Sequence, residues 1–130
     1  MLTHGLILCD DLIFVSRITG TARALGLTLR AFKTPAELLR FAVQLKPRCA
    51  IIDLNVSGLE IDEFARELFT LAPKPLLIGY GSHVDTATLK RARDAGCDIV
   101  WPRSKFVEEL ERVLPAIPGA SAEGIAASVI

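Results

Sequence analysis

Three aspartates in this chain are placed to do chemistry. Asp10 and Asp11 close the apolar run in LILCDDLI, and Asp53 closes the one in CAIIDLN. Short apolar runs of this kind read as buried strands. In an open parallel sheet the carboxyl ends of neighbouring strands share one crevice, where ligands bind. If the two strands are adjacent, three carboxylates converge there and repel one another. Such a cluster calls for a cation or a reaction to offset the repulsion. Each aspartate also has a plainer role open to it, ending a strand or capping a helix. Asp11 stands where a helix begins.

The elements that must position these residues follow from the apolar pattern. Strand-like runs occupy Leu6–Cys9, Leu27–Phe32, Ala50–Leu54, Leu76–Tyr80 and Asp98–Trp101. Helical patterns lie between them. From Ile13 to Leu25, Phe14, Ile18 and Leu25 share roughly one face, and Gly26 ends the helix. In TPAELLRFAVQLKP, Thr34 is the N-cap, Pro35 takes the first helical position, Glu37 closes a capping box and Pro47 lies beyond the end. EIDEFARELFTLAP forms a third helix that stops before Pro73. Asp85 caps a fourth that ends at Gly96, and Ser104 is expected to cap a fifth that ends at Pro115. Repeated β–α units of this length predict an α/β three-layer sandwich, a five-stranded parallel sheet with helices on both faces.

Composition bounds the function. At 130 residues the chain is one domain with a buried core, expected over residues 1–117. Residues 118–130 form a compositionally distinct tail, for which a short helix and a disordered end are both open. Fifteen basic residues balance fifteen acidic ones, so no bulk positive charge supports a grip on nucleic acid. No apolar stretch reaches the length of a membrane span, and MLTHGLILCDD lacks the look of a signal peptide. The three cysteines Cys9, Cys49 and Cys97 are widely spaced and odd in number, which argues against a disulfide framework or zinc site and for a cytoplasmic location. Their plain reading is small buried hydrophobes.

Along residues 5 to 114 the chain resembles the receiver domain of two-component response regulators. The resemblance rests on Asp10-Asp11 after the first strand, Asp53 after the third, AIIDLN, Pro75 before the fourth strand, and RARDAGCDIVW leading into the fifth. It implies a flavodoxin-like fold with strand order 2-1-3-4-5. It implies phosphoryl transfer from a histidine kinase or phosphotransfer protein to Asp53. It also implies a weakly held magnesium ion on Asp11, Asp53 and the backbone carbonyl of Asn55, with Asp10 acting partly through water. Magnesium prefers oxygen ligands and keeps several waters, so such a set is chemically sufficient.

The departures from the family pattern concern the switch. Where the family carries Ser or Thr followed by Ala or Gly after the fourth strand, this chain has Tyr80 and Gly81. Where the family has Lys-Pro after the fifth strand, it has Arg103-Ser104, and arginine is longer, planar and forked. Lys105 is the alternative charge partner of the phosphoryl group. The aromatic switch position is Val100, beside Trp101, and the third-strand loop reads VSGLEID. These residues point to an atypical receiver that acts as a protein-interaction module and is only weakly controlled by phosphorylation. The alternative is an ordinary phospho-accepting receiver.

Enzymatic readings find less support. The chain lacks the Asp-x-Asp of haloacid dehalogenase-type phosphatases, the Asp-x-His-x-x-Gly loop of cobalamin-binding modules and the Ser/Thr-rich phosphate loop of flavodoxins. It has no glycine fingerprint for nucleotides, and His4 and His83 assemble no triad. The expectation is therefore a non-enzymatic module whose output is a contact with a downstream signalling protein. The basic stretch Lys90, Arg91, Arg93 and the acidic one Glu108, Glu109, Glu111 are by default solvated faces. They also suit a homodimer through the fourth helix, fifth strand and fifth helix. His83 reads as a solvated loop residue at the rim of the site, and Trp101 as half-buried packing.

Overall fold

The computed structural model of the protein describes residues 3–116. Five strands, β1 (Gly5–Leu8), β2 (Leu29–Phe32), β3 (Cys49–Asp53), β4 (Leu76–Gly81) and β5 (Ile99–Pro102), alternate with α1 (Leu12–Ala24), α2 (Pro35–Leu45), α3 (Ile61–Leu68), α4 (Thr86–Asp94) and α5 (Arg103–Val113). A short 3-10 turn at Leu114–Ala116 follows. All the strand pairs are parallel, in the order β2-β1-β3-β4-β5. The expected fold and strand order are both present. Expected and observed strand ends agree to within a residue, except that β2 starts at Leu29 rather than Leu27. The tail assigned to residues 118–130 lies outside the described residues, as does the end of the domain at residue 117.

Alternation along the strands divides the core in two. Leu6, Leu8, Ala50, Ile52, Leu54, Leu77 and Val100 face α2, α3 and α4, packing on Leu38, Phe64, Leu68, Leu89 and Ala92. Ile7, Cys9, Cys49, Ile51, Ile78 and Tyr80 face α1 and α5, packing on Phe14, Ile18, Ala22, Phe106 and Leu110. β1 and β3 are buried at every position, as inner strands covered on both faces must be.

Local chemistry sets the helix ends. The Thr34 hydroxyl accepts from the Glu37 N–H at 3.2 Å, with Pro35 in the first turn. Asp85 accepts from the Thr88 hydroxyl at 2.7 Å and from its N–H at 3.2 Å. Those two bonds, the hydroxyl's first, hold the Asp85 carboxyl below its ordinary pKa. Gly96 leaves α4 at φ +105, and a Cβ there would stand 2.8 Å from the Phe69 ring, so both backbone and packing require glycine. One expected cap is corrected. Ser104 lies inside α5; the N-cap is Pro102, which offers no side-chain acceptor. β5 runs straight into the helix at Arg103, leaving no loop in which Ser104 could cap.

Candidate functional site

The strand order reverses between β1 and β3, so their carboxyl ends open the crevice of the sheet. Register puts four residues in a row across it. Leu8 pairs with Ile52, so Cys9 follows beside Asp53; Asp53 pairs with Tyr80, and Tyr80 with Trp101. In a parallel ladder such neighbours project to the same face. Here it is the face covered by α1 and α5.

Asp53 is only 5% exposed. Its Oδ1 accepts the Asn55 N–H at 2.9 Å. Its Oδ2 lies 3.8 Å from the Cys9 Sγ, which donates, and 3.7 Å from an Arg103 guanidinium nitrogen. Burial raises the Asp53 pKa above its ordinary value. The Asn55 N–H and Arg103 oppose that rise, and Asp10 adds to it by repulsion. Arg103 also lies over the Phe14 ring at 4.7 Å and the Tyr80 ring at 5.7 Å. A planar cation can stack on aromatic faces and reach a carboxylate at once. Lys105, the alternative partner, instead stands 5.7 Å over the Trp101 ring.

Asp10 and Asp11 are exposed. Asp11 is the N-cap of α1, its Oδ1 accepting from Ile13 N–H at 3.0 Å and Phe14 N–H at 3.1 Å. The expected convergence of the three carboxylates is therefore incomplete: among the described residues no three acidic, His or Cys side chains form a group able to hold a metal. Asp10 is nevertheless close enough to act on Asp53 electrostatically. The donors that line the crevice are hard oxygens, and burial keeps the Cys9 thiol protonated by raising its pKa. This chemistry fits magnesium rather than a thiophilic metal.

The three switch positions lie on different faces. Tyr80 is wholly buried, stacked on Phe106 at 4.9 Å and tilted against Phe14 at 5.0 Å. Val100 packs on the opposite face with the α4 residues Leu89 and Ala92. Gly81 is buried too; a Cβ there would stand 3.4 Å from the Asn55 side-chain oxygen. Beside Asp53, a cleft of about 800 Å³ opens between α1 and α5, with Phe14 and Val107 as apolar wall and Arg17, Ser82, His83 and Arg103 as polar rim. His83 is exposed, as a loop residue should be. Leu12 and Ile13, at the start of α1, are 65% and 85% exposed.

Sequence reasoning passed over two residues of the site. Cys9 read only as a small hydrophobe, and Phe14 only as a member of a helical stripe. The period-2 alternation that makes Ile7 inward-facing on the α1 side also placed Cys9 there, next to Asp53. Phe14 carried no local sign that it would support an arginine ninety residues later.

No protein-family model matches the chain, and neither does any curated protein. Solved structures match closely in fold. A response regulator from Hahella chejuensis superposes with a TM-score of 0.78 at 14% identity, covering 90% of this chain and 96% of that one. The receiver domain of a sensor histidine kinase from Pseudomonas aeruginosa, with magnesium in its active site cleft, gives 0.75 at 16%, covering 90% and 98%. A Burkholderia pseudomallei response regulator bearing a phosphorylated aspartic acid, a calcium ion and citrate gives 0.70 at 18%, covering 97% and 72%. The element order, the strand order and these superpositions together establish that the chain has the response-regulator receiver fold.

Proposed function

We propose that this domain is an atypical receiver: a signalling module in a two-component-type pathway, with Asp53 as phosphoryl acceptor and a protein contact as output. The observation that carries the reading is the Asp53 carboxylate, at the carboxyl end of the central strand, with the Arg103 guanidinium at 3.7 Å. A cation beside an acceptor carboxylate is what phosphoryl transfer needs, because charge on the transferred oxygens must be neutralised. In support, a Burkholderia pseudomallei response regulator of the same fold carries a phosphorylated aspartic acid.

Magnesium, when bound, supplies further charge neutralisation to the phosphoryl oxygens. Asp11, through the carboxylate oxygen not used in capping, Asp53 and the Asn55 carbonyl would hold it, with Asp10 reaching it through water. The Asn55 N–H fixes Asp53 Oδ1, and stacking on Phe14 keeps Arg103 at hand.

Weak control by phosphorylation follows from the switch residues. Tyr80 is clamped between Phe14 and Phe106, and Val100 sits across the sheet from it. The switch position itself holds no small hydroxyl to swing, and no aromatic ring at Val100 follows it. A ligand shifts a two-state equilibrium only by its differential affinity for the two states. The output surface in this reading is α4, β5 and α5, which serves a downstream protein or a second copy of the chain. A histidine kinase or phosphotransfer protein is the phosphoryl source. The test is incubation with a small phosphodonor and magnesium, read by intact mass. One added phosphoryl group, lost in Asp53→Asn, supports the reading; no added mass at saturating donor removes Asp53 as acceptor.

A further inference from the structure

The Tyr80 hydroxyl is the one buried side-chain oxygen or nitrogen among the described residues left without a partner in hydrogen-bond geometry; burial and, after it, the Cys9 sulfur, a weak acceptor close by, push its pKa up. Its residue is wholly inaccessible to solvent. Buried polar groups are nearly always paired, because leaving one unmade forfeits its hydration with nothing in return. An orphan in a core is therefore a mark of a partner that arrives from elsewhere.

The surroundings say where that partner would sit. Tyr80 and Asp53 are register partners on β4 and β3, so their side chains leave the same face a strand spacing apart. The Cys9 thiol stands on the other side of Asp53 in that row, within 3.8 Å of both Asp53 Oδ2 and the Asp11 carbonyl. Its single hydrogen is taken by those oxygens, and its sulfur offers the phenol only a weak acceptor. The Arg103 guanidinium, 3.7 Å from Asp53 Oδ2, is 5.7 Å from the Tyr80 ring centre. Thiol and guanidinium thus approach the same oxygen of Asp53, and the Tyr80 side chain leaves the sheet on the same face. The guanidinium alone brings several N–H donors to this corner, so donors outnumber the strong acceptors there, the Asp53 carboxylate and the Asp11 carbonyl. That imbalance suits the arrival of a group rich in acceptor oxygens.

From this geometry we infer that the Tyr80 hydroxyl donates a hydrogen bond to the phosphoryl group carried by Asp53, from a fixed position inside the core. The inference rests on Asp53 being the acceptor, and it gives the bulky ring at the switch position a ligand-binding role. It also deepens the reading of weak control. Stacking on Phe106 at 4.9 Å and contact with Phe14 at 5.0 Å hold the ring in place. A donor that serves without moving stabilises the phosphoryl group and transmits little.

The test compares wild type with Tyr80→Phe, which removes one oxygen and keeps the stack. Two quantities are measured: apo stability by denaturant titration, and affinity for beryllofluoride with magnesium, read by Trp101 fluorescence and by calorimetry. The expected result has opposite signs: apo Tyr80→Phe is as stable as wild type or more so, while its beryllofluoride affinity falls by roughly tenfold or more, the scale of a hydrogen bond to a charged group. Unchanged affinity in a wild type that does bind overturns the role of Tyr80 and leaves Asp53 as acceptor. A clear loss of apo stability overturns it as well, since the hydroxyl would then already have a partner. Failure of wild type to take either beryllofluoride or a phosphoryl group removes the acceptor reading together with this one.

Discussion

Asp53 and Tyr80 stand opposite each other in register on β3 and β4, a carboxylate 5% exposed beside a phenol that is fully buried. The pairing explains how a bulky ring fits where a receiver carries a small hydroxyl. The ring does not block the crevice. It drops into the α1–α5 core, where Phe14 and Phe106 receive it.

Burying the Asp53 charge has a cost that the apo protein bears. Its pKa is raised in the folded state by burial, so between the ordinary value of 3.8 and the raised one the native state binds more proton than the unfolded chain. Stability from this group is then full below 3.8 and is lost as pH rises through the folded value. Asp53→Asn keeps an oxygen for the Asn55 N–H and removes the charge. It should stabilise the apo protein at neutral pH by on the order of 1 kcal/mol and flatten the acid-side dependence. Urea titrations at several pH values check both; a less stable variant at neutral pH would show that the Arg103 pair outweighs burial.

Capping and metal binding by Asp11 can be separated. Asparagine caps a helix about as well as aspartate, whereas alanine loses about 1 kcal/mol. Asp11→Asn should therefore keep the stability of wild type, and Asp11→Ala should not. Millimolar magnesium is expected to raise the melting temperature of wild type by binding the folded state, and both variants should lose that rise. A magnesium shift that survives in Asp11→Asn would remove Asp11 from the ligand set.

Arg103 and Lys105 make opposite predictions. Arg103→Ala should weaken beryllofluoride binding by tenfold or more, roughly the worth of a charged hydrogen bond. Lys105→Ala should leave it unchanged, because that ammonium stands over Trp101 instead. Titrating the two variants in parallel decides the matter, and the reverse order would transfer the role to Lys105.

Coupling of the site to the output surface should be small. Partner binding or self-association is expected to change by less than about tenfold on adding beryllofluoride, a coupling under roughly 1.4 kcal/mol. Sedimentation or calorimetry with and without it provides the measure. A hundredfold change would make this an ordinary phosphorylation-controlled receiver.

Much of this was legible in the chain itself. Five apolar runs and the caps Thr34 and Asp85 are local signals, because strand burial and the satisfaction of helix N–H groups depend on near neighbours. The acidic residues at the ends of β1 and β3 were visible for the same reason. What required the tertiary structure was the direction of each side chain and its distant company. Asp11 turns one carboxylate oxygen to cap α1, where two backbone N–H groups meet it. Ser104 loses its expected cap because β5 runs directly into α5. Arg103 reaches Asp53 only because Phe14, on another helix, gives its guanidinium a ring to rest on. Tyr80 reads in sequence as a missing hydroxyl, yet the pairing of β3 with β4 sends its side chain from the same face of the sheet as Asp53. Sequence spacing fixes which face of a strand a residue takes; only packing between strands and helices far apart in the chain decides what it meets there.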